Sequence, residues 1–209
     1  MIFLVESLFL FALFYLIGSL ELRGRVETRA RAFSRRTVAA LLASLLLNFM
    51  LVRDPLGDQG LILPILVALT CILAVITLLD LEVQMLSDAL SIILGLGGLI
   101  YGYMSYGSIP DMLPSIGLGI ALALLGWFFA GPYSKWRGRD MLGWGDVKFF
   151  AAAGFWLMPL QLPMFLIIAG LLGAIAAFAY RLATGRAETP FAPALCIALW
   201  LCIVYGVTL

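Results

Sequence analysis

Two aspartates stand where long apolar runs begin or end. Asp80 closes the run Leu61–Leu79, and Asp146 opens a shorter one, directly behind Leu142-Gly143-Trp144-Gly145. An aspartate costs about 2.5–3.5 kcal/mol at the centre of a membrane helix and less near its ends, so each needs a reason. Two carboxylates brought close cannot both ionise easily, and their proton affinities split. The protonated one can polarise a carbonyl while the ionised one accepts a proton from water, and the apparent pKa values belong to the pair. That is the aspartic-protease arrangement, which needs no histidine, metal or cofactor. The plainer account is two interfacial carboxylates that never meet. On that account Asp146 only caps a helix behind a turn whose glycines permit backbone shapes that other residues resist.

Composition narrows the chemistry further. Of 209 residues 64% are hydrophobic and 12% charged, with a mean hydropathy of +1.10. A soluble domain carries roughly twice that charged fraction, and the apolar residues come in long blocks, so an all-α polytopic membrane protein is expected. A net charge of +1 argues against a nucleic-acid partner. There is no histidine, which removes Ser-His-Asp and Cys-His machinery, HExxH zinc sites and histidine relays. Cys71, Cys196 and Cys202 lie inside apolar segments without a CxxC pair, and read as small buried hydrophobes.

The elements that must position the aspartates follow from hydropathy. Eight spans are expected: Ile2–Leu20, Thr37–Val52, Leu61–Leu79, Ala89–Tyr106, Met112–Ala130, Asp146–Met158, Met164–Tyr180 and Phe191–Leu209. These suit a hydrocarbon core of about 30 Å, except the sixth, which is short. The loop Glu21–Arg36 holds six arginines; with it in the cytoplasm, strict alternation puts twelve of the thirteen positive charges inside, with only Arg53 outside. Both chain ends then lie outside, and Glu6 lies at an interface. Asp80 and Asp146 fall at the same cytoplasmic face, from separate helices. Gly98 with Gly102, Gly126 with Ala130, and Gly170 with Gly173 read as points of close helix approach.

The stretch Gly143-Trp144-Gly145-Asp146-Val147-Lys148 resembles the GxGDxK signature of type IV prepilin peptidases, which are GxGD intramembrane aspartyl proteases. Leu79-Asp80, running on to Ser87-Asp88-Ala89, resembles their first motif, in which an aspartate is followed by a Pro-Asp or Pro-Asn step. Pro190-Phe191-Ala192-Pro193-Ala194 resembles a weaker third feature. The resemblance implies that Asp80 and Asp146 are the catalytic aspartates, and that Gly143 and Gly145 shape the approach to the second. Asp88 becomes a structural or substrate-orienting acid. Lys148 matches the motif lysine, free either to favour ionisation of a nearby carboxylate or to sit at the headgroups.

It further implies one membrane-embedded peptidase domain over residues 1–209, with a core at 61–209 and additional helices at 1–60. The expected activity is cleavage of the basic leader from prepilin- or pseudopilin-like precursors at the inner face of a bacterial cytoplasmic membrane, with the bilayer as the other partner. Two departures stand out. Ser87 replaces the usual proline, which is expected to loosen the turn. The first connection is sixteen residues without cysteine, where many members carry a large cysteine-containing insertion, so N-methyltransferase activity is not expected.

Other readings predict other things. A transporter using the two carboxylates would hold them near the midplane, in interrupted helices. A non-catalytic pilus or secretion assembly factor would keep the fold without needing both acids. A Ser–Lys protease would need Ser134 and Lys135 to pair, which adjacent residues rarely do.

Overall fold

The computed structural model describes residues 2–22, 40–46, 48, 62–138, 143–184 and 189–206, and among these all regular structure is helical. The chain forms α1 (Ile2–Leu22), α2 (Leu63–Val83), α3 (Asp88–Tyr106), α4 (Ile109–Phe128), a π turn at Phe129–Tyr133 running into α5 (Ser134–Arg137), α6 (Trp144–Gly154), α7 (Leu162–Thr184) and α8 (Ala192–Tyr205). Residues 40–46 are also helical. Among the described residues four segments are long and apolar enough to cross a membrane: Leu63–Leu81, Asp88–Tyr106, Ile109–Arg137 and Pro159–Leu182. Ser7–Ile17 and Ala192–Tyr205 are shorter apolar helices. The protein is therefore an all-helical, multi-pass membrane protein. The arginine-rich loop, the segment from Arg53 to Gly60, and Arg139, Asp140, Leu142 and Arg186 lie outside the described residues, as does much of the second expected span.

Helix α2 is apolar all round because protein surrounds it. Its residues from Leu66 to Leu79 are almost all buried, and it packs against α1, α3 and α8. Pro64 suits its first turn, where a missing N–H costs nothing. It does not stop at Leu79 as expected. No glycine or proline interrupts Asp80–Val83, so the helix continues until Gln84, whose left-handed backbone (φ 56°) returns its N–H to the Asp80 carbonyl. Asp80 thus sits on the last helical turn rather than in a connection. The buried polar residues tie helices together: Asn48 donates to Ser7 Oγ at 3.1 Å, Cys71 Sγ to the Ser7 carbonyl at 3.5 Å, and Trp200 Nε1 to Thr70 Oγ1 at 3.1 Å. Such bonds hold helices where lipid supplies no hydrophobic drive.

Among the described residues the most extensive helix pairing is that of α6 with α4, and α6 also packs against α3. Both depend on glycine. A Cβ on Gly154 would lie 2.6 Å from Gly119 Cα, one on Gly119 would lie 2.7 Å from the Phe155 ring, and one on Gly126 would lie 2.8 Å from Val147. From α3, Gly98 faces Trp156 and the Phe155 backbone at 2.7 and 2.9 Å. Trp156 locks the register by donating to the Leu94 carbonyl at 2.7 Å and stacking on Tyr101. Of the expected close approaches, Gly98, Gly126 and Gly173 are such points, while Gly170 meets nothing within 4 Å.

The fifth expected span also runs on past Ala130. Pro132 lacks an N–H and its ring crowds the preceding turn, and the π turn absorbs this without ending the helix. Lys135 and Arg137 are consequently helical, and Gly138 (φ 70°) ends the run. Helix α6 starts at Trp144, two residues ahead of the expected position, and ends at Gly154.

Candidate active site

The end of α2, the connection into α3, the start of α6 and the approach to α8 enclose a cavity of about 550 Å³. Asp80, Asp88, Gly143, Gly145, Asp146 and Lys148, the six residues singled out from the sequence, all line it. Gln84, Trp144 and Thr189 join them without having been foreseen.

Asp80 is fixed by the far end of the chain. Its Oδ2 accepts the Ala192 N–H at 3.0 Å. Ala192 is the first residue of α8, so its N–H has no partner within the helix, and a carboxylate is favoured at that positive end. Pro193 suits the first turn. Phe191, just before it, fills the space left by Gly173 on α7, where a Cβ would overlap the ring. The Pro190–Ala194 feature therefore acts at Asp80.

Asp146 is fixed differently. It is the third residue of α6, behind Gly143 in an extended conformation (φ −67°, ψ 140°). Neither glycine of the motif has the left-handed backbone that the sequence reading allowed for. What they provide is space: a Cβ on Gly145 would lie 3.0 Å from Leu86 Cβ, and one on Gly143 would lie 3.3 Å from Asp146 Oδ2. Glycine at 145 lets the first turn of α6 press against the α2–α3 connection. Asp146 comes within electrostatic reach of Asp80 and faces the shared cavity. The residue before the helix is Gly143, and Asp146 is not its cap.

Lys148 lies two residues beyond Asp146, so the two do not share a helix face. Its Nζ meets Asp88 Oδ1 at 2.5 Å, joining the second turn of α6 to the first of α3. With side chains 42% and 57% exposed, this pair contributes about 0–1 kcal/mol. Ser87 does not loosen the turn. It is buried and caps α3, accepting the Leu90 N–H on Oγ at 3.3 Å, while its carbonyl accepts the Ser91 hydroxyl at 3.1 Å. Ser134 is buried and donates to the Phe129 carbonyl at 2.7 Å, which occupies the hydroxyl that a Ser–Lys mechanism would require.

The fold and cavity define a class: a helical membrane protein with two carboxylates from separate helices facing one cavity. The model of the type IV leader peptidase family matches residues 67–178, more than half of the chain, and that stretch holds both aspartates. The chain belongs to the type IV leader peptidase family. It is 30% identical over 194 residues to a prepilin leader peptidase/N-methyltransferase of Aeromonas salmonicida (strain A449), covering 91% of this chain and 65% of that protein. A protein of the same description from Legionella pneumophila is 31% identical over 204 residues, covering 91% and 66%. Another from Neisseria gonorrhoeae is 32% identical over 133 residues, covering 64% and 46%. The chain thus spans about 65% of the length of the first of these relatives. No solved structure gives a significant match.

Proposed function

We propose that this protein is a membrane aspartyl endopeptidase that removes the basic leader from prepilin- or pseudopilin-like precursors, with Asp80 and Asp146 as its catalytic pair. The observation that carries this reading is that both aspartates, from helices distant in sequence, line one cavity. A water held between the carboxylates gives a proton to the ionised one as its oxygen attacks the scissile carbonyl. The protonated carboxyl hydrogen-bonds the carbonyl oxygen, and collapse of the tetrahedral intermediate returns a proton to the leaving amine. Confinement of enzyme and substrate to one membrane supplies part of the rate by pre-orienting them. Asp88, Lys148, Gly143 and Gly145 shape the site rather than react. Residues 1–209 act as one membrane-embedded domain with eight crossings, both ends outside, in a bacterial inner membrane whose cytoplasmic face holds the cavity. Methyl transfer is not proposed, since the sixteen-residue first connection has no cysteine.

The test is a mobility-shift cleavage assay in detergent or membranes, on a precursor with a basic leader, a glycine junction and an apolar helix. The wild type should shorten it at the junction, and Asp80→Asn and Asp146→Asn should each abolish cutting while remaining folded. Cleavage surviving either change would sink the two-aspartate mechanism. A wild type that cuts no precursor would favour the assembly-factor reading.

A further inference from the structure

A second cavity, of about 430 Å³, opens between α3 and α6, lined along its length by Ser91, Ile92, Gly95, Leu96, Ala151 and Phe155. Its upper end is Asp88 with Lys148, and these same two residues line the aspartate cavity. The two spaces therefore adjoin at the ion pair, one on either side of it. Their chemistry differs sharply. The first sets three aspartates, Gln84, Lys148 and Thr189 among apolar side chains; the second is apolar below its charged rim. The Ser91 hydroxyl is already committed to the Ser87 carbonyl.

We infer that this groove receives the apolar helix of the precursor, the segment immediately following the bond that is cut. The inference rests on the peptidase reading above. Inside a bilayer an occupant that finds no hydrogen-bonding groups must satisfy its own backbone, and a helix does so. The groove suits a helix: Gly95 and Ala151 leave room for close helix approach, while Ile92 (63% exposed) and Leu96 (55%) stand along its α3 wall. From Asp88 to Leu99 it follows α3 for about 16 Å, half of a ~30 Å hydrocarbon core. An occupant helix with its start at the ion pair delivers the residues before it, unwound, to Asp80 and Asp146. A third cavity, also apolar, of about 480 Å³ between residues 40–46, α2 and α8, shares no lining residue with the aspartate site and gives a helix no such route.

Disulfide trapping tests this. Single cysteines at Ile92 and Leu96, with controls at Ile197 in the third cavity and Phe178 on the exposed face of α7, are placed in Asp146→Asn protein whose Cys71, Cys196 and Cys202 are replaced by alanine. They are oxidised against precursors carrying one cysteine at each position of the first three helical turns after the glycine. Cross-links at Ile92 and Leu96 recurring every three to four precursor positions are expected, with little at the controls. In otherwise wild-type protein, Ala151→Trp should then raise KM for the precursor about tenfold with kcat little changed, as loss of uniform binding requires. Should that variant fail to accumulate, Leu96→Trp fills the groove from the opposite wall with the same expectation. Cleavage by the wild type with cross-links at Ile197 or Phe178 instead, or at none of the four, would overturn the groove and leave the peptidase reading intact. If the wild type cuts nothing, both fall.

Discussion

Asp80 and Asp146 face the same cavity but are held there by opposite means. Asp80 is carried by a long, deeply buried helix and oriented by one directional bond from the α8 N-terminus. Asp146 is carried by an eleven-residue helix placed almost wholly by shape, through glycines at 119, 126, 145 and 98 that let α6 approach its neighbours. A hydrogen bond fixes an angle and tolerates small shifts of the helix behind it. A glycine contact fixes a distance, and it tolerates least where the atoms it meets are backbone, as at Gly154 against Gly119 and Gly98 against Phe155. One acid is therefore sensitive to polar changes far away in sequence, the other to added methyl groups.

Four substitutions separate these regimes, from the largest expected effect down. Gly154→Val puts side-chain atoms against the Gly119 backbone, which cannot yield; overpacking of this kind costs about 1–3 kcal/mol or more, and both thermal stability in detergent and cleavage should collapse. Gly173→Ala pushes against Phe191, a ring able to move, so the protein should fold. The Ala192 N–H would then leave Asp80, and kcat should fall about tenfold, the equivalent of one net hydrogen bond to a charged group.

Gly145→Ala should lower kcat/KM by a few fold, by pressing on the Leu86 Cβ, and Leu86→Gly, which removes that atom, should restore part of it in the double variant. A double-mutant cycle showing strict additivity would disprove the contact. Asp88→Asn should do least, shifting stability by about 0–1 kcal/mol in a salt-dependent way. The charge-swapped pair Asp88→Lys with Lys148→Asp should recover what is lost.

Hydropathy was sufficient to find the helices and the class, because a bilayer penalises every alternative to a helix or closed barrel. The aspartate motif was legible through its glycines, although the reason for them was not. Neither has a positive φ, and it is Leu86, some sixty residues away, that crowds a side chain at 145. The bond from Ala192 to Asp80 spans 112 residues and leaves no local periodicity; only the prolines at 190 and 193 marked the place. The role of Lys148 was hidden for the same reason, its partner Asp88 lying on another helix. Helix ends were misjudged at Leu79 and Ala130 because polarity was taken as a stop signal. What ends the first is the left-handed turn at Gln84, and what prolongs the second is the π turn around Pro132.

That π turn has a consequence for how the whole molecule floats. With it, the segment Ile109–Arg137 runs for 29 residues. At about 1.5 Å per residue it exceeds a ~30 Å hydrocarbon core by several residues. Its far end carries Tyr133, Trp136 (78% exposed) and Arg137, whose guanidinium lies 5.8 Å from each ring centre. Amphipathic rings and a cation are the groups that settle at a headgroup layer. In the proposed topology this tip is a waterline mark on the hull, and because α4 packs against α6, it would set the draught at which Asp146 rides beneath the membrane surface.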